Sequence, residues 1–100
     1  MSTIHIDENQ KTTVINILKK YFQYEKFYIF GSRATGKKLK KFSDLDIAIV
    51  GPVKINQSSL ERALEEFSAS DLPFKVDLVD INSLTSEFAK NIQPDLIELK

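Results

Sequence analysis

The sequence contains no cysteine, and glycine and proline are both rare in its 100 residues. Without cysteine the chain can form no disulfide, use no thiolate nucleophile and bind no zinc through sulfur. This absence fits a reducing compartment, so we expect a cytoplasmic protein. The N-terminal stretch lacks the apolar segment of a signal peptide, and no apolar run is long enough to span a bilayer. We therefore expect neither secretion nor membrane insertion.

A charge excess of either sign is also absent, because fourteen basic residues balance fourteen acidic ones. A neutral chain has no overall field that would draw it to nucleic acid or to a membrane surface. We therefore expect nucleic acid not to be its main partner. The hydrophobic fraction of 42% is ordinary for a globular protein. The length predicts a single domain over residues 1–100.

Hydrophobic periodicity predicts alternating helices and strands. Apolar residues recur at helical spacing in three stretches, and short β-branched or aromatic runs lie between them. The resulting order, α-β-loop-β-α-β-α with a short last edge strand, is of the α/β or α+β class, with helices packed on a small mixed sheet. Ser58 is expected to begin a capping box with Glu61, Ser83 to cap the last helix and Pro94 to end it. The predicted elements are helices 8–23 and 59–68, a helix after residue 83, and strands 26–30, 43–50, 74–80 and 95–99.

Acidic residues interrupt two of the predicted strands. Alternate residues of a strand point to the same face, so Asp44 and Asp46 should project together while Leu45 faces the core. Carboxylates this close repel and raise each other's pKa, so a positive group should compensate them. Asp77 is a third acid in an apolar run, whereas Asp80, at the strand end, should be exposed or act as a cap.

A divalent cation would compensate these acids. Mg²⁺ prefers carboxylate oxygens, and Asp44, Asp46 and Asp77 on adjacent strands could hold two such ions. Pairs of metal ions serve in-line phosphoryl and nucleotidyl transfer. The alternative for the D-x-D pair alone is a solvated strand face, and Asp77 in a second apolar strand favours the metal site over it. His5, the only histidine, has no evident catalytic partner and is expected at the surface.

The loop after the first strand contains a glycine-serine pair followed by basic residues. Gly31 can adopt positive φ and let the backbone approach a ligand closely, and Ser32 adds a hydroxyl at a junction that suits phosphate. The loop is not a Walker A motif, because Lys38 occupies the position that requires Ser or Thr. The basic residues could attract a triphosphate or could simply be solvated; they are Arg33, Lys37, Lys38, Lys40 and Lys41.

The segments FGSRATG, SDLDIAI and VDLVD occur in this order within residues 26–80. Together they resemble the minimal nucleotidyltransferase family of the DNA polymerase β-like superfamily. That family has a glycine-serine or glycine-glycine pair after a strand, then D-x-D, then a third carboxylate on a later strand. The likeness extends to the antitoxin members of HEPN–minimal nucleotidyltransferase pairs. One departure is that eleven residues separate Ser32 from Asp44, one more than the family's usual spacing.

The resemblance implies a nucleotidyltransferase fold and a set of site residues. Nucleotide binding is implied for Gly31, Ser32 and Arg33. Catalysis and the binding of two Mg²⁺ ions are implied for Asp44, Asp46 and Asp77.

The resemblance also implies a reaction and a partner. An NMP group, with ATP the favoured donor, would pass from an NTP to a hydroxyl group of a HEPN-type helical toxin and silence it. A chain of this length has no room for a second domain that would hold a substrate, so a partner protein should supply that surface. Self-association is left open. The alternatives are a non-catalytic nucleotide sensor or an antitoxin that acts by occlusion, and a plain α+β interaction domain.

Overall fold

The structure, a computed structural model, describes residues 5–36 and 43–100. Its helices are α1 (Glu8–Tyr21), α2 (Ser32–Thr35), α3 (Gln57–Ala69) and α4 (Ser86–Ile92), and its strands are β1 (Lys26–Phe30), β2 (Leu45–Val50), β3 (Val76–Asp80) and β4 (Ile97–Glu98). The strands form one sheet in the order β3-β2-β1-β4. β1 pairs antiparallel with β2 and β4, and β2 pairs parallel with β3. The predicted fold class, a small mixed sheet with packed helices, is confirmed.

Side-chain caps begin α1, α3 and α4, and two of the predicted caps, Ser58 and Ser83, were wrong. The capping box lies at α1, where Asp7 Oδ1 accepts from the Gln10 N–H at 2.7 Å and Gln10 Oε1 accepts from the Asp7 N–H at 3.1 Å. At α3 the Asn56 side chain accepts from the Ser58 N–H at 2.8 Å. Ser58 is therefore a capped residue instead of the cap, and α3 begins at Gln57, two residues earlier than predicted.

The last helix, in contrast, begins later than predicted. Ser83 belongs to a 3₁₀ turn, and Thr85 caps α4 by accepting from the Phe88 N–H at 3.2 Å. α4 ends at Ile92, and Pro94 lies in the 3₁₀ turn that follows, in agreement with the predicted stop. Within the described ranges, none of the helices combines the length and the apolar composition needed to cross a membrane.

One face of the sheet carries the main core. Leu45, Ile47 and Ile49 of β2 are fully buried against α1 and α3. Burying a side chain of this size contributes about 1.5–3 kcal/mol. On the opposite face, Ala48 packs with Phe30 and with Ile92 of α4. The second face of β2 therefore combines a small apolar cluster with the acidic residues described below.

Three of the predicted strands, β2, β3 and β4, begin two residues later than predicted. β2 starts at Leu45 and β3 at Val76, because the pairing between them begins where the Leu45 N–H donates to the Lys75 carbonyl at 2.8 Å. Asp44 therefore precedes the strand in which it was predicted. Asp46 and Asp77 are each the second residue of their strands.

Asp80 is a buried structural residue with only 4% of its surface exposed. Its carboxylate accepts from the Ile55 N–H at 2.7 Å, the Asn82 N–H at 3.0 Å and the Ser83 hydroxyl at 3.2 Å. Of the two expectations for Asp80, capping is confirmed and exposure was wrong. The bond from Ile55 joins the end of β3 to the segment that follows β2, and the other two cap the 3₁₀ turn after β3.

We expect Asp80→Ala to lower the free energy of unfolding by about 2–4 kcal/mol, because it removes a buried carboxylate and leaves two partly buried N–H groups without their acceptor. Chemical denaturation of the purified variant measures this loss. Asp71→Ala removes an exposed carboxylate from the α3–β3 connection and is the matched control. Equal losses in the two variants would contradict the structural role of Asp80.

Candidate active site

The topology of the sheet brings Gly31, Asp46 and Asp77 to one place. β1 runs antiparallel to β2, so the C-terminal end of β1 adjoins the N-terminal end of β2, and Phe30 pairs with Asp46. β3 runs parallel to β2 in a register that pairs Asp46 with Asp77. Side chains at paired positions of neighbouring strands lie on the same face, about 5 Å apart at the backbone. Residues from three separate segments therefore meet at one end of the sheet.

Gly31 is required at its position for two reasons. Its φ of 76° and ψ of −155° place it in a region that side-chain-bearing residues rarely adopt. A Cβ at this position would also lie 2.5 Å from Asp46 Oδ2. The missing side chain thus lets the start of α2 approach the carboxylate directly.

Asp46 is the most perturbed acid of the site. Its burial raises the pKa of the carboxyl group above the usual range, and the nearby charges of Asp77 and Asp44 raise it further. In the part of the chain that the structure describes, no hydrogen-bond donor or cation is paired with this carboxylate. The expected repulsion between the acids is therefore present, and no side chain among the described residues relieves it.

The other two acids are accessible to solvent. Asp44 is exposed and lies in the segment just before β2. The Asp77 side chain is 42% exposed, and the Lys75 ammonium lies 3.8 Å from its Oδ1. An exposed ion pair at this distance contributes at most about 1 kcal/mol. Lys75 therefore does little to neutralise the site.

The donor set fits a hard divalent cation in its chemistry, since carboxylate oxygens are the ligands that Mg²⁺ prefers. A cation would also relieve the repulsion that raises the pKa of Asp46. Within residues 5–36 and 43–100, however, no group of three acidic or histidine side chains is arranged closely enough to hold a metal ion. The acids are near enough to repel each other but do not form a closed set of ligands.

The Arg33 side chain is buried in the protein. Only 6% of its surface is exposed, and its guanidinium donates to the carbonyls of Ser43 and His5, each at 2.8 Å. The guanidinium also stacks on the Phe74 ring, 4.2 Å from the ring centroid. The expectation that Arg33 binds nucleotide phosphate is not supported by this position. Nothing in the local sequence marks Phe74 as its partner, because 41 positions separate them.

The structure describes only part of the loop that follows β1. Ser32 is partly buried at the start of α2, next to Gly31. His5 is partly buried, not on the open surface as expected, and its ring lies against Gly36. The extra residue of the Ser32–Asp44 spacing was predicted to fall in the lysine-rich stretch; Lys37, Lys38, Lys40 and Lys41 lie outside the described residues.

A sheet of this topology, with a glycine-serine turn beside aspartates on adjacent strands, is that of a nucleotidyltransferase. Residues 12–99 match the family model described as Polymerase beta, Nucleotidyltransferase, and the chain belongs to this family. A more particular likeness is to the "Probable protein adenylyltransferase MntA" of Haemophilus influenzae. The two are 36% identical over 90 residues, which cover 90% of this chain and 78% of that protein. The predicted family is confirmed.

Solved structures of toxin–antitoxin complexes share the fold. A complex crystallised with AMP-PNP matches with a TM-score of 0.73 and 24% identity, over 90% of this chain and 72% of that chain. The complex of a tri-AMPylated Shewanella oneidensis HEPN toxin with its minimal nucleotidyltransferase (MNT) antitoxin has a TM-score of 0.71 and 21% identity, over 95% and 72%. At these identities, the likeness establishes the fold.

We expect Gly31→Ala to lower the free energy of unfolding by about 3 kcal/mol, because the new Cβ meets the Asp46 carboxylate in a strained backbone region. Gly36→Ala is the matched control, since Gly36 has the same φ of 76° but faces the movable ring of His5. It should cost only about 1–2 kcal/mol. Urea denaturation compares the two, and equal losses would show that contact with Asp46 is unimportant.

We expect Asp46→Asn to raise the melting temperature by a few degrees at pH 7 without divalent ions. The pKa of Asp46 is raised in the folded protein, so its ionisation opposes folding increasingly as the pH rises through the unfolded and then the folded pKa. Asparagine cannot ionise, so the gain should shrink as the pH falls towards about 4. Thermal melts of Asp46→Asn and the exposed control Asp71→Asn test this, and a less stable Asp46→Asn at pH 7 would contradict it.

Proposed function

We propose that this protein transfers an NMP group, AMP in the favoured case, from an NTP to a hydroxyl group of a partner protein. The observation that carries the proposal is the in-register pairing of Asp46 with Asp77 beside Gly31. This arrangement sets two carboxylates next to a backbone turn that has no side chain to exclude a phosphate. The likeness to a protein named as an adenylyltransferase supports AMP as the transferred group.

In this proposal Asp44, Asp46 and Asp77 hold Mg²⁺, with two ions expected. When bound, the metal would neutralise the acids and stabilise charge on the reacting phosphate. Gly31 and Ser32 receive the triphosphate at the start of α2. The acceptor hydroxyl forms a bond to the α-phosphorus, the α–β phosphoanhydride bond breaks, and pyrophosphate leaves. Asp77, whose side chain is 42% exposed, takes the hydroxyl proton.

The proposed partner is a HEPN-type helical toxin, with this protein acting as its antitoxin. Support comes from the solved relatives, in which an MNT antitoxin is bound to an AMPylated HEPN toxin. The neutral net charge makes nucleic acid a poorer acceptor. The absence of cysteine fits the cytoplasm as the compartment.

A non-catalytic antitoxin or nucleotide-binding module is the alternative. One observation favours it: in the described part of the chain, the acids do not converge into a metal-binding group. Such a protein would bind nucleotide or toxin and inhibit by complex formation alone. Transfer chemistry therefore separates the two functions, whereas binding does not.

The test is incubation of the protein with α-labelled ATP, Mg²⁺ and its helical partner. We expect label to pass to the partner. Asp46→Asn and Asp77→Asn should each lower the rate of this transfer by about 10²-fold or more, because each removes a metal-binding oxygen or the proton acceptor. Asp71→Asn, an exposed acid on another connection, should transfer normally.

Three outcomes distinguish the functions. Transfer that survives in an Asp44→Asn/Asp46→Asn double variant would overturn the proposed metal site. Absence of transfer to protein or RNA, with ATP binding intact, would favour the non-catalytic module. Replacement of Mg²⁺ by EDTA should stop transfer without unfolding the protein, which circular dichroism monitors.

A further inference from the structure

We propose that Arg33 is a positioning residue that holds together the chain segments carrying the site, and that it does not bind the nucleotide. Its kinetic consequences rest on the nucleotidyl transfer proposed above, whereas its structural consequences do not. The inference is carried by the set of groups that surround its guanidinium. Each of these groups belongs to a different segment.

The first segment leads into β2. Arg33 Nε donates to the Ser43 carbonyl at 2.8 Å, and Ser43 directly precedes Asp44. On the other side, the Leu45 N–H donates to the Lys75 carbonyl at 2.8 Å. The backbone around Asp44 is thus held from both sides although Asp44 lies outside the strand. Arg33 provides one of these two attachments.

The second segment leads into β3. The guanidinium carbon of Arg33 lies 4.2 Å from the centroid of the buried Phe74 ring, the distance of a stacked cation–π contact. Phe74 precedes β3 by two residues and Asp77 by three. Arg33 therefore contacts the chain just before both strands that carry the paired acids.

The third segment is the stretch before α1. Arg33 donates through its guanidinium to the His5 carbonyl at 2.8 Å, and the His5 N–H donates to the Arg33 carbonyl at 2.8 Å. This reciprocal pair attaches the N-terminal stretch to α2, directly after Gly31 and Ser32. The glycine-serine turn and the acid-bearing segments are consequently joined through one side chain.

A phosphate-binding role is incompatible with these contacts. The side chain would have to leave two carbonyl oxygens and the Phe74 ring to reach the open side of the sheet. Burial lowers the pKa of Arg33, as expected for a cation removed from water into the protein. The guanidinium thus lies in the interior, where its planar group can donate to two carbonyls and stack on a ring at the same time.

Replacing Arg33 by lysine distinguishes a positioning role from a phosphate-binding one. An ammonium group binds phosphate as a point charge, so Arg33→Lys would preserve much of a phosphate contact. It cannot reproduce the fork or stack its plane on Phe74. A positioning role therefore predicts that Arg33→Lys loses about as much transfer rate and Mn²⁺ affinity as Arg33→Met.

The experiment compares Arg33→Lys and Arg33→Met with Arg62→Lys and Arg62→Met. Arg62 is the only other arginine of the chain and is exposed on α3. We expect both Arg33 variants to lose transfer rate and Mn²⁺ affinity, the latter measured by electron paramagnetic resonance, by about 10- to 100-fold. ATP affinity should change little. Hydrogen exchange should quicken at the Leu45 amide but not at the amides of Ile29 and Ile47 in the core.

Two results would overturn the proposal. One is a large loss of ATP affinity in Arg33→Met with near-normal ATP affinity in Arg33→Lys, which would show that the positive charge of residue 33 binds phosphate. The other is unchanged Leu45 exchange and Mn²⁺ affinity in both variants. If Arg33→Met does not fold, Phe74→Leu removes only the stacking partner and should shift Leu45 exchange and Mn²⁺ affinity in the same direction. A failure of the proposed transfer chemistry alone would leave these two measurements intact.

Discussion

The repulsion between Asp46 and its two acidic neighbours is the constraint on which the site depends. Partial burial raises the pKa of Asp46, and the register of β2 and β3, which sets Asp46 beside Asp77, raises it further. The burial of Leu45 and Ile47 on the other face of β2, against α1 and α3, offsets the cost of this repulsion. A hydrophobic core on one face of β2 thus supports an electrostatically unfavourable cluster on the other. A bound cation, with a phosphate group as its further ligand, would offset the repulsion within this cluster.

The site also depends on close approach of the backbone, which the antiparallel pairing of β1 and β2 makes possible. This pairing brings Gly31 to the end of the sheet where Asp46 lies, and only a glycine leaves room for the carboxylate there. Arg33, two residues later, turns inward to Ser43 and Phe74. Two residues of one short turn therefore have different surroundings: Gly31 adjoins the Asp46 carboxylate, and Arg33 contacts the segments that lead into β2 and β3.

Much of the architecture was predictable from local patterns. The order of elements, β1 with its bounds, and the position of α1 follow from hydrophobic periodicity, which reflects burial of one face of each element. The order of the motifs sufficed to predict the family that residues 12–99 match. Caps and strand ends were less predictable, because Asn56, Ser58 and Ser83 have similar capping propensities. Which of them caps depends on where the chain leaves the sheet.

The sequence by itself determined that Asp46 faces away from Leu45 and Ile47, because side chains alternate along any strand. It also determined that Gly31 is free to adopt positive φ. Only the tertiary structure decided that Asp77 pairs with Asp46, that Asp80 is buried while Asp77 is not, and that Arg33 lies on Phe74. Register, burial and the partners of a long side chain depend on segments that are distant in sequence. No local pattern specifies them, because they arise only when those segments pack together.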